Sequence, residues 1–517
     1  LAERLDKSYD STEIEDIFLP YKPRRATRAQ AAREAGLEPL AKIIMAQNSS
    51  DISRQAKKYV KGTVGSVEAA IAGARDIIAE WVNENEKARS IVRAKFQRSA
   101  YITSKVVKGK EQEGVNYETY FDLKEPLRSC TSHRYLAMRR GEEEGFLRVG
   151  ISIDDDEMID RLQRMFVRPN ATEETDSIVR EAVRDGYKRL LRGAVETEIA
   201  SSMKEKSDES AIQMFSDNVR QILMAPPLQH KRILAIDPGY RTGCKVVALD
   251  ENGAFIASEV MYPNPPVNDY HGSADLLCYM VDTLGIDAIA VGNGTAGRET
   301  ERFVRELRLP RKVSVYSVSE QGASIYSASD VAREEFPDFD VTVRGAISIG
   351  RRLLDPLAEL VKIEPRSMGV GQYQHDVNQT RLKESLDNVV ESCVNSVGVN
   401  VNTASKQLLS YVSGIGPTLA ANIVSYRNEN GPFRQRADLM KVSRMGEKAF
   451  QQCAGFLRIP GGVNPLDNTG VHPESYPLVE KMAANVKSDV GGIVRNRHLL
   501  HSIVLDDFVT KEVGLPT

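Results

Sequence analysis

A chain of 517 residues is too long for a single hydrophobic core and should divide into about three or four units. With 41% hydrophobic and 27% charged residues there is material for globular cores. The net charge of -3 excludes a uniformly basic nucleic-acid coat and leaves room for local basic patches.

Cys130, Cys244, Cys278, Cys393 and Cys453 are far apart and form no Cys-x-x-Cys pair, so neither a disulfide framework nor a zinc site is expected. His498 and His501 have ligand-like spacing, but no cysteine lies near enough in sequence to complete a site. No apolar run approaches the roughly 20 residues needed to span a bilayer. The opening LAERLDKSYDSTEIED is too charged for a signal peptide. These features point to a cytoplasmic protein with no membrane contact, no metal and no cofactor, and a monomer is expected. The chain opens without Met and in mid-pattern, as the interior of a longer protein would.

Residues 1–228 read as helices with short breaks. RAQAAREAGLEPLAKIIMAQ is an Ala-rich pair of helices broken at Gly36 and Pro39. SVEAAIAGARDIIAEWVNENEKARSIVRAKF, DDDEMIDRLQRMF and DSIVREAVRDGYKRLLRGAVETEIASSMKEK keep the same period. Asp154, Asp155, Asp156 and Glu157 suit a helix start, where the dipole favours negative charge. Pro226-Pro227 ends the region. Lys22, Arg24, Arg25, Arg28 and Arg33 run without an acid until Glu34. Arg93, Lys95, Arg98, Lys105, Lys108 and Lys110 also run without acids, with Phe96 and Tyr101 interleaved. Each run is either a surface that holds a nucleic-acid strand, with aromatics stacking on bases, or a solvated helix face.

Residues 229–355 change to a strand period and predict an α/β unit. RILAIDPG stops at Pro-Gly, and CKVVALDENGAFIASEVMY is two strands around an Asp-Glu-Asn-Gly turn. Helix, strand, helix and strand follow at ADLLCYMVDTL, DAIAV, RETERFVREL and KVSVYSV. An acid, Asp237, on a strand of such a meander is the first feature of a ribonuclease-H-like fold. Its nucleases gather several carboxylates around two metals, which polarise the phosphate and generate hydroxide. Glu320 is expected beside Asp237. The end of DAIAV offers only Gly292 and Asn293, which bring no charge, and Asp355 and Glu359 are the acids available further on. With one position vacant, Asp237 and Glu320 read as vestiges of a catalytic site. The plain alternative has Asp237 capping its own turn. Residues 292–297 match GxGxxG, but after a fourth strand that follows an antiparallel meander, which argues against a dinucleotide site.

Residues 356–404 read as connecting helices, 405–460 as a tandem helix-hairpin-helix, and 461–517 as a C-terminal helical segment and linker. In SKQLLSYVSGIGPTLAANIVSYR two helices flank Ser413-Gly414-Ile415-Gly416, and Pro417 suits a first helical position. Amides at such a helix start attract phosphate and hold the backbone without reading bases. ADLMKV, Ser443-Arg444-Met445-Gly446 and EKAFQQCAGF form a looser second copy, with Arg444 and Lys448 in reach of phosphate. Eight cations (Lys406, Arg427, Arg434, Arg436, Lys441, Arg444, Lys448, Arg458) face three acids (Glu429, Asp438, Glu447) in this segment. The bland reading is a helical hairpin with Gly caps. The candidate nucleic-acid-binding residues are therefore Gly414, Gly416, Arg444, Gly446 and Lys448.

Several strings, in order along nearly the whole chain, resemble the bacterial Tex family: FLPYKPRRATRA, YLAMRRGEEEGFLRV, LAIDPGYRTGCKV, GNGTAGRET, SEQGASIYSASDVA, GVGQYQHDVNQTRL, and the stretch from VNTAS to FLRIPGGVNPLD. The resemblance implies a helical N-terminal region with a helix-turn-helix-like portion, a catalytically incomplete YqgF-type ribonuclease-H-like domain, and tandem hairpins. It also implies a following OB-fold RNA-binding domain that these residues do not include. Family members resemble a eukaryotic elongation factor that travels with RNA polymerase. The expectation is a mostly α multi-domain protein with one α/β domain. Its function would be a non-enzymatic transcription accessory scaffold for RNA or DNA, beside RNA polymerase or the ribosome. The alternatives are a metal-dependent nuclease at Asp237 and Glu320, and a pure protein adaptor.

Overall fold

Thr27 caps the helix Arg28–Glu34 of the N-terminal unit, its hydroxyl accepting the Gln30 amide at 3.0 Å, in a computed structural model that describes residues 11–21, 27–228, 230–509 and 514. Two compact units divide the chain, Leu1–Ala211 and Ile212–Thr517. In the first, α1 (Arg28–Glu34) and α2 (Glu38–Ala46) are joined through Gly36 at φ +78°, with Pro39 in the first turn of α2. The Gly-Pro break was legible because each residue fits only its own side of a helix boundary. Next come α3 (Val67–Glu84) and α4 (Glu86–Ser99), started by Ser66 and Asn85. Ala70, Ala74, Ile77, Ile78 and Val82 recur at helical spacing and are wholly buried. Each isoleucine withdrawn from water is worth about 1.5–3 kcal/mol.

The all-helical reading of this region was wrong. β1 (Tyr101–Val106) pairs antiparallel with both β2 (Asp122–Pro126) and β3 (Leu147–Ser152), and α5 (Ser132–Glu143) lies between β2 and β3 in sequence. β1 buries only Ile102 and Ser104, so its apolar pattern is too sparse to announce a strand. Its pairing comes from residues some 45 positions away. Helices α6 (Asp155–Phe166), α7 (Glu173–Asp185) and α8 (Arg192–Leu223) follow. Asp154 caps α6, accepting the Glu157 amide at 3.1 Å, as the acidic run implied.

Beyond the end of α8, the second unit carries β4 (Ile233–Asp237), β5 (Cys244–Leu249) and β6 (Phe255–Met261), an antiparallel meander. The Asp250 carboxylate turns the chain by accepting the amides of Asn252 and Ala254. Then α9 (Tyr270–Thr283), β7 (Ala288–Gly292), α10 (Gly297–Glu306) and β8 (Ser314–Val318) add two parallel strands, giving the order β6-β5-β4-β7-β8. Asp237 thus ends the centre of a five-stranded sheet and the first strand of the meander. Helix α11 (Val341–Leu354) crosses β4 and β5 closely. A Cβ on Gly350 would stand 2.9 Å from the Ala235 Cβ and 2.6 Å from Leu249 Cδ1, so glycine sets that approach.

The rest is helical: α12 (Pro356–Leu360), α13 (Gln379–Val397), α14 (Lys406–Ser410), α15 (Pro417–Asn430), α16 (Glu447–Cys453), α17 (Tyr476–Asn485) and α18 (Val490–Arg495). A two-residue parallel pairing of β9 (Val399–Asn400) with β10 (Leu457–Arg458) closes the hairpin region. ADLMKV, expected as a helix, is a 3-10 segment, Arg436–Lys441. Among the described residues no helix is long and apolar enough to cross a membrane.

Candidate nucleic-acid interface and acidic cleft

The two hairpins share backbone geometry at matching turn positions. Gly414 takes φ +82° and Arg444 takes φ +67°, so the arginine fills the left-handed position that the second copy gives no glycine. Gly416 and Gly446 are the helix N-caps, at φ -81°, ψ 171° and φ -85°, ψ 166°. Ile415 and Met445 between them are buried, and their amides donate to Val412 and Val442 at 2.9 and 3.0 Å. Each tip is therefore an apolar plug flanked by exposed backbone. No side chain caps α15 or α16, whereas Ser405, Asn378 and Asp340 cap neighbouring helices. A Cβ on Gly416 or Gly446 meets nothing within 4 Å, so both N-termini open to solvent. Uncapped, exposed first-turn amides hold a fractional positive charge and suit an anion. Asn422 ties the hairpins together through the Ser443 carbonyl at 2.8 Å, and Asn395 accepts the Ser413 amide at 3.1 Å.

Most cations of this segment are engaged within the fold and away from the tips. Arg436 is 1% exposed and donates to the carbonyls of Leu457, Thr469 and Val471 and to the Tyr476 hydroxyl. Arg427 and Arg458 donate to backbone carbonyls, Lys406 pairs with Glu334, and Lys441 with Asp438. Among the described residues the side chains of Arg434, Arg444 and Lys448 remain exposed without an acidic partner. The first tip therefore offers amides alone, and the second adds two cations.

A third turn lies in a segment that sequence reasoning left as helical segment and linker. Lys487 is left-handed at φ +55°, and two residues on Asp489 is the N-cap of α18, the same spacing as in both hairpins. Here the Asp489 carboxylate accepts the Gly492 amide at 2.7 Å, so this helix start is closed by its own side chain. The missing glycines hid it.

The other basic runs fare less well. Arg93 pairs with Asp16 and Glu198, Lys95 with Glu157, Lys110 with Glu113, and Arg33 with Glu80. Phe96 is fully buried and has no face for a base, while Tyr101 is exposed with Lys124 over its ring. Lys22, Arg24 and Arg25 lie outside the described residues.

At the carboxyl end of β4 the structure brings Asp237 and Glu320 together. Burial, and then the Glu320 charge, push the Asp237 carboxyl up to about 6, against the pull of Lys245. Among the described residues no donor reaches the Asp237 carboxylate, so it does not cap its turn. Glu320 is held by its amide, which donates to Asn293 Oδ1 at 3.3 Å, and its Oε2 is buried without a partner. The glycine-rich loop is occupied by this carboxylate. A Cβ on Gly292 would stand 2.8 Å from Glu320 Oε2, and one on Gly294 would stand 1.4 Å from Oε1. The loop that resembled a phosphate cradle is shaped around the protein's own acid.

Asp355 and Glu359 do not complete the cleft. Asp355 caps α12 through the Ala358 amide at 3.0 Å, and Glu359 is ion-paired with Lys362 at 2.8 Å. The α11 position facing Asp237 is Gly345, whose Cβ would stand 3.3 Å from Oδ2. Among the described residues no group of three or more His, Cys, Asp or Glu side chains is placed to hold a metal.

This fold and these sites define a multi-domain, mostly helical protein that carries a nuclease-like sheet unit and helix-hairpin-helix elements. Residues 47–215 match the family described as Tex central region-like, and 231–354 the Tex protein YqgF-like domain. Residues 394–458 match the helix-hairpin-helix motif, and 464–517 a further HHH domain. The chain is 44% identical over 534 residues to Protein tex of Bordetella pertussis, covering all of this chain and 68% of that protein. Against the transcriptional accessory protein Tex of Neisseria gonorrhoeae it is 43% identical over 524 residues, covering 100% and 69%. Against human S1 RNA-binding domain-containing protein 1 it is 34% identical over 546 residues, covering 92% and 54%. The chain belongs to the Tex family of transcription accessory proteins.

Proposed function

We propose that this chain is a non-enzymatic scaffold that holds RNA or DNA by its phosphate backbone, at the tips Gly414–Gly416 and Arg444–Lys448, beside the transcription machinery. The observation that carries this is the repeated tip. Two helix starts share one backbone geometry, lack side-chain caps and face solvent, and the second adds Arg444 and Lys448. The names of the relatives support transcription as the setting and RNA as a ligand class. Phosphate-led binding is insensitive to sequence and weakens steeply with salt, because each neutralised phosphate releases condensed counterions.

Fluorescence anisotropy on single-stranded and duplex RNA and DNA, across a salt series, tests it. Replacing both Arg444 and Lys448 with Ala should weaken every probe and flatten the salt slope by about one unit per cation. Gly416→Val should weaken binding with an unchanged melting temperature. Affinity indifferent to salt, or untouched by all these changes, overturns the reading.

A second reading has one observation in its favour, the adjacency of Asp237 and Glu320. Incubating labelled strands with Mg²⁺ or Mn²⁺ tests for a nuclease. Cleavage lost in Asp237→Asn would establish it.

A further inference from the structure

Away from the hairpins, the second unit contains a cavity of about 370 Å³ beside the edge strand β8. Ile222, Val318, Leu353, Leu360 and Met368 give it an apolar wall, and Arg352 lines it as well. Its size lies within the roughly 300–1,000 Å³ usual for small-molecule pockets.

Arg352 is the unusual part of that wall. Its side chain belongs to a residue only 6% exposed, so the charge has been taken out of water. Its Nη1 donates to the carbonyls of Ser319 and Gln321, at 2.8 and 2.7 Å. Among the described residues those are the guanidinium's only hydrogen bonds, and Nε is buried with no partner. Nε is shut off from the cavity as well as from acceptors, and Nη2, with no hydrogen bond among the described residues, is the nitrogen left to an occupant. Glu359 and Glu320 act on Arg352 through space without bonding to it.

We infer that this cavity binds a small carboxylate on an apolar body, with the acid on Nη2 of Arg352 and the body against Leu353, Leu360 and Met368. Arg352 also fixes the carbonyls on either side of Glu320, so an occupant would sit one residue contact from the acidic cleft. The inference does not depend on the hairpins binding nucleic acid.

The test uses the full chain and four acids, benzoate, cinnamate, octanoate and 2-naphthoate, each with its neutral amide. Saturation-transfer NMR and calorimetry should find at least one acid binding with 1:1 stoichiometry and its amide weaker by roughly tenfold or more, because the charged hydrogen bonds are lost. Arg352→Gln should weaken the acid by a similar factor. Because that change also loosens the 319–321 loop, Ala225→Phe provides an independent variant, filling the cavity without altering the guanidinium, and should abolish binding. The inference is overturned if none of the acids binds at low millimolar concentration, if acid and amide bind alike, or if Ala225→Phe leaves the affinity unchanged.

Discussion

Arg444 holds the left-handed backbone position in the second hairpin that Gly414 holds in the first, at φ +67° against +82°. A non-glycine residue there costs about 1–2 kcal/mol, offset in part by the larger entropy glycine loses on folding. Arg444→Gly should therefore leave stability unchanged or raise it by up to about 1 kcal/mol, while weakening nucleic-acid binding and lowering the salt slope by about one unit. Denaturant midpoints and anisotropy on one preparation check both halves. Loss of stability together with undiminished binding would show that the arginine is there for folding.

Gly294 and Glu320 compete for one volume. Adding a methyl group at Gly294 must displace the Glu320 carboxylate, at a cost of about 1–2 kcal/mol for overpacking. In a Glu320→Ala background the same substitution should cost almost nothing. A double-mutant cycle by urea unfolding reads the coupling directly, and simple additivity would mean that the carboxylate lies elsewhere.

The raised Asp237 carboxyl sets a pH dependence. In the unfolded chain an Asp ionises near 3.9, whereas in the fold it keeps its proton until about 6. Its contribution is fully present below the unfolded value and is lost as pH rises through about 6, on the order of 2–3 kcal/mol in all. Asp237→Asn should remove that slope and be more stable than the parent at pH 7. Unfolding free energies measured from pH 4 to 8 on both proteins decide it; identical profiles would place the titration elsewhere.

Arg436 is a cation that serves the fold. It gathers the carbonyls of Leu457, Thr469 and Val471, and its own amide donates to Asp467 Oδ2 at 3.0 Å. Arg436→Met should cost about 3–5 kcal/mol, the range for breaking a buried charged network. Arg436→Lys should not rescue it, because a point charge cannot span three acceptors. Melting curves and limited proteolysis of 394–517 measure the loss, and near-native protection in Arg436→Met would contradict this role.

Local chemistry was legible in the sequence wherever neighbouring residues decide the structure. Gly36 with Pro39, the Asp154 cap, the Asp250 turn and the strand-helix alternation from Ile233 to Val318 all depend on residues within a few positions of one another. The first hairpin was equally plain, because Gly414, Gly416 and Pro417 each suit one backbone state. What distant residues decide was not legible. β1 required β3 to become a strand, and whether a basic residue faces solvent depended on partners far along the chain, so Arg436 and Arg93 counted as surface charge until their acceptors were placed. The glycine-rich loop showed the same limit, since only the fold brings Glu320 into the space that Gly294 leaves. Sequence alone determined those elements that short-range conformational preference decides and, through its motif strings, the family resemblance. Tertiary structure decided which charges remain free and which cavities remain open, because burial and electrostatic pairing are properties of the packed chain.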